Sequence, residues 1–149
     1  MLVDANILIF AVDSSNPFHL AAKSWLGAAL NAETRVGLPW SALLAFLRIV
    51  TNPRASNRPL APGQAWTYIQ DWLASDLVWV PQPTPRHADV LGSLVQRYQL
   101  RGNLIPDAEL AAIAIEHGLA IYSADTDFAR FSEITWINPF DAKAGRIPS

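Results

Sequence analysis

Short apolar runs alternate with longer stretches of helical periodicity along this chain. MLV (1–3) predicts a brief buried strand, and NILIFAV (6–12) the helix or turn that follows it. PFHLAAKSWLGAAL (17–30) predicts a helix with proline in its first turn and Leu20, Ala21, Trp25, Ala28 and Ala29 at helical spacing. RVGLPW (35–40) predicts a second strand closed by Pro39. SALLAFLRIVTNP (41–53) predicts a strongly apolar helix with Ser41 as N-cap, stopped before Pro53. After a loop, QAWTYIQDWLAS (64–75) predicts a helix with Trp66, Ile69, Trp72 and Leu73 on one side. LVWVP (77–81) is a third strand, PRHADVLGSLVQRYQL (85–100) a helix, and RGNLIP a linker. DAELAAIAIEHG (107–118) is a helix capped by Gly118, LAIYSAD (119–125) a fourth strand, DFARF one helical turn, and ITWIN (134–138) a fifth strand.

Strands alternating with helices predict an α/β fold: a central, mostly parallel five-stranded sheet flanked by helices. In such folds the ligand crevice lies at the carboxyl ends of the strands. The carboxylates of this chain fall there. Asp4 ends the first strand, Asp125 ends the fourth with Asp127 two residues on, and Asp107 opens the helix leading into the fourth. Two carboxylates about 4 Å apart repel by roughly 4 kcal/mol at an effective dielectric of 20, so such a cluster needs a shared proton or a cation. Singly, each Asp could cap a helix or turn. Three independent caps are not expected at one crevice.

Composition narrows the chemistry. A chain of 149 residues, 51% hydrophobic and 16% charged, predicts one well-cored domain and excludes extensive disorder. No Cys is present, which removes disulfides, thiolate nucleophiles and sulfur-ligated zinc. With oxygen donors only, the ions that suit an aspartate cluster are Mg²⁺ or Mn²⁺. No apolar stretch reaches about 18 residues and no signal-peptide pattern opens the chain, so a soluble cytoplasmic protein without membrane contact is expected. The net charge of −2 carries no bulk signature of nucleic-acid binding, although nine of the 11 basic residues are Arg, the better fork for phosphate. Phosphate loops, GxGxxG and GxSxG are absent. His19, His87 and His117 lie in helices without metal-ligand spacing and read as surface or interface residues. Most of the six Trp read as core or subunit contacts.

MLVDANIL, FLRIVTNPR, PDAELAAIAIEHG, and SADTDFARF followed by INPF occur in an order and spacing that resemble the PIN-domain ribonucleases, specifically VapC-type toxins of bacterial toxin–antitoxin pairs. The resemblance spans residues 1–140 as a PIN domain and leaves 141–149 as a tail. It implies homodimerisation, a cognate VapB-like antitoxin and Mg²⁺-dependent cleavage of RNA. By position it implies Asp4, Asp107 and Asp125 as metal ligands, Asp127 as an additional catalytic carboxylate, and Asn6 and Ser123 as supporting residues. Arg48, Arg54 and Arg58, on one helix and its loop, are expected to grip flanking phosphates. One position departs: where the family often carries Glu-x-x-Arg, this chain reads Ala45-Phe46-Leu47-Arg48. A catalytically weakened RNA- or partner-binding module is therefore the competing expectation. A phospho-receiver is disfavoured, because no Lys lies near the late strands. The large apolar side chains of helix 64–75 exceed what one core face uses, and predict a partner surface.

Overall fold

The computed structural model describes residues 1–141, so the expected tail lies almost wholly outside the described residues. The first apolar run becomes the middle of the sheet. Strand β1 (Leu2–Val3) pairs on one side with β2 (Val36–Gly37) and on the other with β4 (Ile121–Tyr122). Strands β3 (Val78–Trp79) and β5 (Trp136–Ile137) form the edges, giving the order β3-β2-β1-β4-β5. Every pairing is parallel, where the sequence predicts only a mostly parallel sheet. Each strand has two residues, fewer than the apolar runs suggest; β1 and β2 give way within three residues to α1 and α3.

Successive strand residues point to opposite faces. Val3 and Tyr122 therefore enter one core cluster, and Leu2 and Ile121 the other. Helices α1 (Ala5–Val12), α2 (His19–Leu30), α3 (Trp40–Val50) and α4 (Pro62–Ala74) cover the first face with Ile7, Leu26, Phe46 and Ile69. Helices α5 (His87–Arg97) and α6 (Leu104–His117) cover the second with Leu94, Ala111 and Ile113. Gly37 allows the close approach in the middle of the sheet: a Cβ there would meet Pro81 Cγ at 2.9 Å and Met1 O at 3.2 Å. Among the described residues, no helix is long and apolar enough to cross a membrane.

Two helix starts differ from expectation. Helix α3 begins at Trp40 with Pro39 as its N-cap, so Ser41 lies inside the first turn instead of capping it. Helix α6 begins at Leu104, three residues ahead of Asp107. Pro106 is accommodated because amide N–H groups in the first turn have no intrahelical acceptor to lose. Gly118 closes α6 as expected, in the left-handed region at φ 66°.

Candidate metal centre

In a parallel sheet, the chain leaves every strand at the same edge. Asp4 follows β1, and its backbone N–H still bonds Tyr122 O at 3.0 Å, which ties it to the end of β4. It caps α1: Oδ1 accepts from Ala5 N–H at 2.7 Å. Oδ2 accepts from the Ser123 hydroxyl at 2.8 Å and from Asn6 Nδ2 at 3.3 Å.

Ser123 is the fully buried hub of this arrangement. Its hydroxyl donates to Asp4 and accepts from Asn6 Nδ2 and from Asp125 N–H, each at 3.0 Å. One donor and two lone pairs are thereby all used. Asn6 Oδ1 accepts from Ala124 N–H at 3.3 Å, so Asn6 also ties α1 to the chain leaving β4. Trp136 Nε1 donates to Ser123 O at 2.9 Å and holds the segment from the β5 side. Asp125 caps the 3₁₀ turn Thr126–Arg130 by accepting Asp127 N–H at 2.8 Å on Oδ1.

Asp107 reaches this edge from the first turn of α6. One carboxylate oxygen each of Asp107, Asp125 and Asp127 lie within 4.8 Å of one another. Asp4 stands outside that tightest triple but is coupled to it electrostatically. Burial first, and the charge of Asp125 among lesser effects, raises the Asp4 carboxyl above its ordinary range, against the hydrogen bonds from Ser123 and Ala5. Asp107 is pushed up to about 7, by burial first and then by the charges of Asp125, Asp4 and Asp127. Arg130 opposes that shift only weakly. Its guanidinium is engaged by Asp127, with Nε donating to Asp127 O at 3.0 Å and Nη2 to Oδ1 at 3.3 Å. Arg130 was not singled out in the sequence, though its position three residues after Asp127 on a helical turn is a readable signal.

The donor set is all oxygen, anionic and crowded. Burial and like charge together disfavour the ionised Asp107, and a nearby positive charge would relieve both. A hard divalent cation such as Mg²⁺ or Mn²⁺ fits these residues.

A model of the PIN domain matches residues 1–134. Ribonuclease VapC37 of Mycobacterium tuberculosis is 41% identical over 138 residues, covering 93% of this chain and 96% of that protein. This chain is a VapC-type PIN domain. Ribonuclease VapC33 of the same organism is 37% identical over 139 residues, covering 93% of this chain and 97% of the relative. Solved structures that share the fold include two toxin structures. The VapBC2 complex of Rickettsia felis, bound to a DNA fragment from its promoter, superposes with a TM-score of 0.66 at 13% identity, over 92% of this chain and 96% of that one. M. tuberculosis VapC20, described as a sarcin–ricin loop cleaving toxin, gives 0.65 at 19% identity, over 90% and 98%.

The PIN domain gathers Asp4, Asn6, Asp107, Ser123, Asp125 and Asp127 at one edge. The three arginines lie elsewhere. Helices α1 and α3 both run away from that edge, so Arg48 sits in the last turn of α3, and Arg54 and Arg58 in the loop beyond. Arg58 lines a small cavity with Val12, Asp13 and Ser14, at the far end of α1 and about 12 Å from Asp4 along the helix. Ala45 is half-buried on α3 and offers no oxygen. His87, expected as a surface or interface residue, is half-buried between α5 and α6 and pairs with Glu116.

Proposed function

We propose that this VapC-type PIN domain is a divalent-metal-dependent endoribonuclease, the toxin of a toxin–antitoxin pair. It acts in the cytoplasm as a homodimer and is restrained by a VapB-like antitoxin. The observation that carries this is the convergence of Asp107, Asp125 and Asp127, with Asp4 coupled to them by charge and the Asp107 carboxyl pushed up to about 7. Support comes from relatives named as ribonucleases at 37–41% identity and from a fold shared with toxin–antitoxin complexes.

Asp4, Asp107 and Asp125 would hold Mg²⁺ or Mn²⁺. A bound ion of this kind supplies charge neutralisation at a phosphodiester and acidification of a coordinated water. The rest is the work of the chain. Ser123 and Asn6 fix the Asp4 carboxylate against rotation, so that its orientation is set before any ligand arrives. Asp125 commits Oδ1 to Asp127 N–H and is thereby oriented by its own cap. Asp107 would serve as a ligand in its ionised form, its carboxyl having been pushed up to about 7 by burial and by its acidic neighbours. Asp127, its side chain 47% exposed and steadied by Arg130, is the carboxylate open to solvent and suited to accept a proton from an attacking water. Arg48, Arg54 and Arg58 hold phosphates away from the scissile bond. A mere binding module has no need of self-repelling carboxylates, which disfavours that alternative.

The deciding experiment incubates purified, antitoxin-free protein with total RNA, with and without Mg²⁺, and maps the cut ends. Discrete cuts that require the metal and vanish in Asp107→Asn are expected. Cuts that persist in that variant would overturn the assignment.

A further inference from the structure

Outside the acidic centre, two tryptophans face solvent side by side. Trp40 and Trp66 keep 38% and 41% of their surface exposed, with ring planes 13° apart and centroids separated by 6.5 Å. Trp25 and Trp72, each 7% exposed, show where this fold buries an indole it needs for packing. The exposed pair is therefore not demanded by the core.

Its position is informative. Parallel pairing sets Leu2 opposite Gly37, so continuing the register puts Asp4 level with Pro39, the residue before Trp40. Adjacent strands lie about 4.8 Å apart. The indole pair thus begins at the rim of the aspartate centre. From there α3 presents Trp40, Leu44 and Arg48 at successive i, i+4 positions, all exposed, over about 12 Å. Arg48 has no carboxylate partner among the described residues. A flat aromatic surface next to the chemistry, an apolar step and then a free guanidinium matches a base followed by backbone phosphate.

Resting on the nuclease reading above, we propose that Trp40 and Trp66 form a stacking platform for an unpaired nucleobase of the RNA substrate. The strand leaves the aspartate centre along the exposed face of α3 toward Arg48. Stacking is tolerant of base identity. The platform therefore favours single-stranded RNA over duplex without fixing a sequence.

The test compares wild type with Trp40→Ala, Trp66→Ala and the ring-preserving Trp40→Phe. The probe is a short, unstructured, fluorescein-labelled RNA, alongside the same backbone carrying abasic riboses, both titrated in EDTA. Each Ala variant is expected to bind the base-bearing RNA roughly tenfold more weakly. Trp40→Phe recovers most of that loss, and the abasic strand binds all four proteins alike. Under turnover KM rises and kcat holds, with Mn²⁺ affinity and sedimentation state unchanged. Wild type that cuts RNA while the Ala variants bind it equally well overturns the platform and leaves the nuclease intact. A changed sedimentation state with unchanged RNA affinity assigns the pair to a protein contact and also overturns it. Wild type that neither binds nor cuts RNA overturns the nuclease reading itself, and the platform with it.

Discussion

In the first turn of α6, Asp107 faces Asp125, Asp127 and Asp4; about two and a half turns along the same helix, Glu116 faces Thr84 and His87. The second group is a finished structure. Glu116 has a fully buried side chain, yet Oε1 accepts from Thr84 N–H at 2.9 Å and from its hydroxyl at 2.7 Å. Oε2 meets His87 Nδ1 at 2.6 Å. Burial alone would raise its pKa, but these partners outweigh it and leave the carboxyl below its ordinary range. Asp107 has no such hydrogen-bond partner among the described residues, and its carboxyl rises to about 7. One helix thus carries a carboxylate satisfied by the protein and another set among like charges. The former fastens α5 to α6; the latter is where the proposed metal would be held.

Substitution should separate the two most sharply. Asp107→Asn is expected to lower RNA cleavage by about 100-fold or more, since a lost ligand should cost at least as much as a lost outer partner. The fold should be unharmed, because one of four repelling charges has gone. Glu116→Ala should do the reverse. It leaves the half-buried His87 and two Thr84 donors without their acceptor, at about 3 kcal/mol, or about a 10 °C fall in Tm, with cleavage per folded molecule retained. Thermal melts and initial rates on both variants check this. A destabilised Asp107→Asn with normal cleavage would reduce Asp107 to a helix-end charge.

Added metal should sharpen the contrast next. Mn²⁺ at about 100 times its dissociation constant stabilises the folded state by about 2.7 kcal/mol, raising Tm by about 5–10 °C. Asp107→Asn should blunt that rise and Glu116→Gln should leave it intact, both read by scanning fluorimetry.

Acid should move the clusters in opposite directions, though by less. Asp107 goes from 3.8 unfolded to about 7 folded, so between those values the folded protein holds a proton the unfolded chain has released. Its contribution to metal-free stability therefore grows as pH falls from about 8 toward 4, and is lost as pH rises through 7. Asp4, also raised, adds in the same sense. Glu116 is depressed, so its contribution stands above its unfolded value of 4.5 and is lost as pH falls through the lower folded value. Denaturant melts in EDTA should show a stability maximum on the acid side of neutrality. In Asp107→Asn the gain on acidification should shrink.

The smallest expected effect is at Ala45. If its side chain faces the aspartates, Ala45→Glu adds a further anionic oxygen, weakening the metal-free fold slightly and raising Mn²⁺ affinity severalfold. Isothermal titration of both proteins reads this. Equal affinities would place Ala45 away from the centre.

The aspartates were legible because a parallel α/β order assigns functions to strand ends, and Asp4 and Asp125 stand where apolar runs stop. The start of α6 was not, because Pro106 reads as a breaker although a first turn tolerates it. Glu116 and His87 escaped notice for another reason. They are 29 residues apart, and each looks like an ordinary polar position on an amphipathic helix until α5 and α6 are packed together. The Trp40–Trp66 pair is equally non-local: Trp66 sits on the apolar side of its helix in sequence, yet only Ile69 and Trp72 of that set are buried, with Leu73 intermediate. Local pattern reports faces, and packing decides which part of a face stays open.

The placement of β1 at the centre of the sheet bears on how the molecule comes into being. The Ser123 hydroxyl that orients Asp4 is encoded 119 residues later, and β1 has no β4 to pair with until synthesis is nearly done. Contacts this distant in sequence close late and slowly. A nascent or prematurely released chain ending before Tyr122 carries Asp4 held only by its neighbours Ala5 and Asn6, and lacks Ser123, Asp125 and Asp127. The full set of carboxylates is therefore assembled only with the final strands.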